Sequence, residues 1–184
     1  LEAVAGSARQ FLQSADLPGS INALLERLGR QPASSHVYIF ENHLGPDGRR
    51  LCSQRYHWTD AERAAPLDSP AFQNVEMDGG GLERWLQAMQ SGGPFYTIRS
   101  QMSPAEQAFL SPLGAQAILE MPIYVRSEAE AGSTGKLQWW GLVGFDDYHQ
   151  ERKWTVAEMD ALQIGAGLLG AVIQRQRADE ALQE

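Results

Sequence analysis

The sequence predicts an α+β domain built on a central antiparallel sheet of five to six strands, and three observations carry that reading. Two runs rich in Val, Tyr, Ile and Phe or their alternation, His36 to Asn42 and Arg50 to Trp58, flank the turn residues Gly45, Pro46, Asp47 and Gly48, which is the pattern of an antiparallel hairpin. Ala117 to Arg126 and Leu137 to Asp146 form a second pair around a polar loop from Ser127 to Gly135, and their apolar character places them near the sheet centre. A capping box, Thr155-Val156-Ala157-Glu158, then opens a helix whose apolar positions Met159, Leu162, Ala166, Leu169 and Ile173 follow four-and-three spacing.

The other elements fall between these. Val4, Ala8, Phe11, Leu12 and Ala15 share one stripe of a first helix ending near Asp16. Pro18 sits in the first turn of a second, with Ile21, Leu24, Leu25 and Leu28 on one face and a stop around Gly29 to Pro32. Ala61 to Pro70 reads as loop, Phe72 to Met77 as a short strand, and Gly79 to Gly81 as punctuation before a helix from Leu82 to Gln90. Phe95 to Ile98 is extended, and Ser103-Pro104-Ala105-Glu106 caps a helix to about Leu113. From Val156 to about Gln183 the last helix would reach ~40 Å at 1.5 Å per residue, beyond what a small domain covers.

Composition narrows the function classes. With 184 residues, 43% apolar and 21% charged, the chain has the make-up of one globular domain that needs no staple. The net charge of −8 and the absence of a Lys/Arg run argue against nucleic acid. One cysteine, Cys52, allows neither an internal disulfide nor a Cys-rich zinc site. Apolar stretches such as Trp139 to Phe145 fall short of the ~20 residues of a membrane span, so the expectation is a cytoplasmic piece without direct membrane contact, of a parent that could itself be anchored. There is no glycine-rich phosphate loop, no Gly-x-Ser-x-Gly elbow and no His-Glu-x-x-His pair.

Three stretches carry a family resemblance. Met121-Pro122-Ile123-Tyr124-Val125, Trp140-Gly141-Leu142-Val143-Gly144-Phe145-Asp146-Asp147, and Arg152-Lys153-Trp154-Thr155 with Glu158 resemble the C-terminal half of GAF domains in bacterial histidine kinases and cyclic-dinucleotide enzymes; His36 to Asn42 resembles their first strand. The resemblance implies N- and C-terminal helices on one sheet face, a variable loop and helix region over the other, and a pocket between that region and the sheet. It divides the chain into a signalling helix (1–16), the GAF domain (17–174) and the start of a helical linker (175–184) toward a downstream kinase or cyclase. The charged, apolar-poor end from Arg175 to Glu184 agrees, since it cannot be fully buried in its own domain.

Candidate pocket residues are Trp58, Phe72, Trp85, Phe95, Tyr96, Glu120, Trp140 and Leu142, aromatic and apolar groups around one acid. Such side chains equally serve as plain core. Period-two alternation puts Glu120 on the face of Ile118 and Pro122, where its charge either needs a buried partner, fixes a ligand donor, or faces solvent. His36 and His57 could oppose one another across the hairpin, but no carboxylate or third His falls at a matching position, so a metal is disfavoured. Bilin is disfavoured because Cys52 lies in the early half of the domain, and thiol redox chemistry because a cycle needs a second thiol. Cyclic GMP is disfavoured because the Asn-Lys signature of its GAF receptors is missing; the lysines are Lys136 and Lys153. Asp146 and Asp147 are expected to end their strand and pair with Arg152 or Lys153, with Trp154 stapling the helix entry. The reading is a non-enzymatic sensory domain, homodimeric through its terminal helices, that binds a small ligand or partner within a two-component type of system; the alternative is a ligand-free dimerisation module.

Overall fold

A computed structural model of the chain describes residues 17–30, 34–60, 69–111, 114–127 and 135–181. The predicted helix before Asp16, most of the 61–70 loop and the 128–134 turn lie outside the described residues. The elements are α1 (Leu17–Arg30), β1 (His36–Leu44), β2 (Arg50–Thr59), a 3-10 turn (Pro70–Phe72), β3 (Val75–Glu76), α2 (Glu83–Ser91), β4 (Phe95–Ile98), α3 (Pro104–Leu110), β5 (Ala117–Arg126), β6 (Leu137–Asp147) and α4 (Val156–Ala181). Six strands form one antiparallel sheet in the order β3-β2-β1-β6-β5-β4.

Alternation along the strands divides the core in two. Val37, Ile39, Leu119, Met121, Ile123, Val143 and Phe145 point to one face, where Ile21, Leu24, Leu25 and Leu28 of α1 and Leu162, Leu169 and Ile173 of α4 cover them. Each such side chain, once fully buried, contributes about 1.5–3 kcal/mol relative to exposure. Tyr38, Cys52, Ile118 and Leu142 point to the other face, beneath Leu82 at the N-cap of α2, Trp85 and Met89 of α2 and Leu110 of α3.

Two β-bulges break this alternation. Ile39 pairs with Tyr56 and Phe40 with Gln54, so Arg55 is an extra residue in β2. Ile123 pairs with Gly141 and Tyr124 with Trp139, so Trp140 is extra in β6. One inserted residue sends every later side chain on that strand to the opposite face.

Both capping boxes form. Ser103 Oγ accepts from Glu106 N while the Glu106 carboxylate accepts from Ser103 N, and Thr155 and Glu158 do the same for α4. The helix of 104–110 ends before the expected Leu113. Only Val75 and Glu76 of the expected 72–77 strand pair, because Pro70 opens a 3-10 turn through Phe72 and Asn74 adopts a φ of 54°, neither of which continues a strand. Trp154 packs edge-on to Phe145 and carries the Arg152 guanidinium 3.8 Å from its ring, as a staple should.

The 26 residues of α4 extend about 39 Å. By length and composition this helix is apolar enough to cross a bilayer, a feature the sequence reading passed over; its face from Leu162 to Ile173 is packed on the sheet. Gly170 sets the closeness of that packing: a Cβ there would stand 2.6 Å from the Tyr124 carbonyl oxygen, so helix and β5 backbone touch with no side chain between them.

Candidate functional site

The site is built at one level of the sheet, where Tyr38, Gly144 and Glu120 stand side by side on β1, β6 and β5. A Cβ at position 144 would lie 2.1 Å from the Tyr38 ring. Glycine therefore lets the ring cross the central strand, and the Tyr38 hydroxyl comes to rest 3.1 Å from Glu120 Oε1 and 3.1 Å from Asp146 Oδ1. The Trp85 indole N–H, brought over by α2, donates to the second Glu120 oxygen, Oε2. Asp146 Oδ2 lies 3.3 Å from the Tyr148 hydroxyl and 3.5 Å from His36 Nδ1.

Counting protons shows what this network needs. The Tyr38 hydroxyl has one hydrogen and two acidic neighbours, so two ionised carboxylates would leave one short contact without a donor. Burial raises the pKa of both acids: Glu120, 3% exposed, is pushed up to about 7 by desolvation, against the hydrogen bonds from Trp85 and Tyr38 and with help from the Asp146 charge. Asp146 is also raised, desolvation outweighing His36, and burial holds the Tyr38 hydroxyl well above the ordinary tyrosine range. The arrangement consistent with all three is a protonated Glu120 donating to Tyr38, which donates to an ionised Asp146. Because the Trp85 bond favours the charged form, Trp85→Phe should raise the Glu120 midpoint by about one unit, read from the pH titration of its carboxyl carbon by NMR.

Around the network lies a cavity of about 50 Å³, lined by His36, Tyr38, Phe40, Cys52, Gln54, Phe72, Trp85, Phe109, Glu120, Leu142, Asp146 and Tyr148 among others. That is a third of the ~150 Å³ that accepts a benzene ring, so a ring-sized ligand enters only if a wall such as Ala71 and Phe72 shifts. Two lining side chains have buried polar atoms without a hydrogen-bond partner: Gln54, at both Oε1 and Nε2, and His36, at Nε2. Their exposures are 5% and 2%, and an orphaned buried group costs about 1–3 kcal/mol.

Of the eight residues singled out from sequence, Phe72, Trp85, Glu120 and Leu142 line this cavity. Trp58 and Trp140 pack instead with the α1/α4 core, each turned over by the bulge in its strand. Phe95 is buried beneath the Arg84 guanidinium, and Tyr96, on the short edge strand β4, is 52% exposed. Sequence reasoning missed Tyr38, Gln54 and Asp146. Asp146 is a correction: it is His36's direct neighbour on β6, faces the cavity and makes no pair with Arg152, which binds Glu158. It is also the carboxylate at a matching position that was not found beside the histidines. His36 and His57 meet edge to face at 5.5 Å, and among the described residues no three His, Cys, Asp or Glu side chains gather as a ligand set. Asp147 accepts instead from the backbone N–H groups of His149 and Gln150.

A sheet with helices packed on one face and a small polar-centred cavity on the other defines an α+β module with one candidate ligand cavity. No known family profile matches the chain. It is 32% identical over 177 residues to the methanogenesis regulatory histidine kinase FilI of Methanothrix harundinacea (strain 6Ac), a match covering 96% of this chain and 19% of that protein. Among solved structures, a far-red-absorbing dark state with bound biliverdin IXa superposes with a TM-score of 0.66 at 16% identity, covering 95% of this chain and 97% of that one. A domain described as that of a two-component sensor histidine kinase from Sinorhizobium meliloti 1021 superposes at 0.62 with 14% identity, covering 93% and 100%. Other neighbours include cyanobacteriochrome domains and structures described as GAF domains. The chain has the fold of these GAF domains. It spans about a fifth of the curated relative it matches.

These neighbours correct the exclusion of bilin. The exclusion rested on where Cys52 falls along the chain, yet domains of this fold that include a biliverdin complex are structurally similar over nearly their full length. Chain position is a poor guide to pocket content, because strand pairing brings Cys52 itself into the cavity lining. Its thiol is pushed up to about 12 by burial and the Glu120 charge.

Proposed function

We propose that this domain is a sensory regulator in which a small ligand in the Glu120 cavity biases the position of α4, and that α4 carries the change through a homodimer to a downstream kinase or cyclase in the cytoplasm. The observation behind this reading is the two-faced strand β5. Its Glu120 faces the cavity while Leu119, Met121 and Ile123 face the helices, and Gly170 of α4 rests against its backbone. A shift of β5 by the ligand is then felt by α4 directly. About 1–3 kcal/mol of differential affinity for two arrangements is enough for useful control. Biliverdin, bound by one structural neighbour, belongs among the ligands to try.

For the dimer, the support is a second stripe on α4. Ala161, Ile164, Leu168, Ala171, Arg175 and Ala178 recur at alternating three and four residues, the spacing of a coiled-coil seam, and Ile164 is 45% exposed. Light scattering on a sizing column should give a dimer for the native chain and a monomer of unchanged circular dichroism for Ile164→Asp; two monomers would remove the relay. The small cavity favours a second reading, a dimerisation module filled by its own aromatics such as Trp85 and Phe109. Native mass spectrometry separates the two: retained extra mass on the dimer supports the sensor, and bare dimers that take up no offered ligand support the module.

A further inference from the structure

We propose that the cavity recognises a carboxamide or urea group, held by the side chains of Gln54 and His36. The inference rests on the reading of the cavity as a ligand site and names the chemistry it selects.

Three hydrogen-bonding atoms in the lining are buried and without a partner: Gln54 Oε1, Gln54 Nε2 and His36 Nε2. The Gln54 oxygen accepts and its nitrogen donates. His36 Nδ1 lies 3.5 Å from Asp146 Oδ2 and 3.4 Å from the Tyr148 hydroxyl; with Tyr148 donating to Asp146, the imidazole hydrogen sits on Nδ1 and Nε2 is left as an acceptor. The set therefore calls for two donors and one acceptor. A primary carboxamide or a urea end supplies them: one N–H to Gln54 Oε1, a second N–H to His36 Nε2, and a carbonyl oxygen accepting from Gln54 Nε2.

Charge and size agree with this choice. Asp146, the ionised member of the network, lines the cavity and no Lys or Arg does, so a carboxylate or phosphate of similar shape meets repulsion with no cation to offset it. A free volume of about 50 Å³ suits a group of a few heavy atoms and polar walls rather than an aromatic ring. The rest of a larger ligand would lie toward Phe72 and the apolar side chains beside it.

Acetamide, acetate and acetone share one four-atom frame and differ only in donors and charge, which makes them the probes. Each is titrated at neutral pH into the isotope-labelled chain while the Gln54 side-chain amide and Trp85 indole signals are followed by NMR. Acetamide should give saturable shifts at both, at least about tenfold tighter than acetone, with acetate weaker still. In Gln54→Leu acetamide should lose more affinity than acetone, which gives up only the bond from Gln54 Nε2, so the acetamide advantage narrows. Equal binding of acetone and acetamide to the native chain would overturn the carboxamide assignment and leave the cavity a ligand site. No saturable response to any of the three, as in a cavity kept by ordered water, would overturn the ligand site with it.

Discussion

Glu120→Gln should melt roughly 5–10 °C above the native chain at pH 8 and at nearly the same temperature near pH 4. The folded state holds the Glu120 proton up to about pH 7, whereas the unfolded chain releases it near 4.5. Between those values the folded form binds more protons, so its stability falls as pH rises, and the loss is complete above the folded midpoint. The displacement corresponds to about 3 kcal/mol or slightly more. Glutamine reproduces the protonated acid: its oxygen can accept from Trp85 and its N–H can donate to the Tyr38 oxygen, with nothing left to ionise. Thermal melts of both chains from pH 4 to 8 check this. Parallel curves for variant and native would mean that Glu120 titrates alike in the folded and unfolded chain, and the proton chain through Tyr38 to Asp146 would be wrong.

Gly144→Ala should destabilise the domain by about 2–5 kcal/mol, although it adds a single methyl group. That methyl would stand 2.1 Å from the Tyr38 ring, a rigid group that cannot turn aside without losing its hydroxyl from between Glu120 and Asp146. Overpacking costs about 1–3 kcal/mol, and each buried partner left unmatched adds on the order of 1–3. Urea denaturation gives the number, and a double-mutant cycle gives the cause. In a Tyr38→Ala background the ring is gone, so the Gly144→Ala penalty should shrink to the small cost or gain of an alanine in a strand. A penalty of the same size in both backgrounds would place the conflict elsewhere, since no other atom is as close.

Long patterns were legible without coordinates because they are local. The hairpin turn at 45–48, both capping boxes and the four-and-three spacing of α4 each depend on residues within a turn or two of one another, and all appear at the expected places. Glu120 was legible as a candidate for a similar reason: a carboxylate sharing the parity of Ile118 on an apolar strand needs a buried partner, a ligand or solvent, and the structure buries it. Trp58 and Trp140 show where parity stops being enough. A period-two count back from Leu142 would put Trp140 on the cavity face, but Trp140 is itself the extra residue of the β6 bulge and packs on the other side. Nothing local marks the bulge; it is set by which residue of β5 each residue of β6 can pair with.

The sequence by itself determined the α+β class, the strand and helix order and the sheet-facing stripe of α4, and it marked Glu120 as an acid on an apolar strand without deciding whether it is buried. Only the tertiary structure decided which aromatic residues face the cavity, that Tyr38 bridges Glu120 and Asp146, and that Gln54 and His36 reach the cavity with unfilled hydrogen-bonding atoms. The physical reason is distance along the chain. Local structure follows from torsional preference and periodicity among near neighbours, whereas the site joins residues 82 and 108 positions apart, which meet only after the register of three strands and two bulges is fixed.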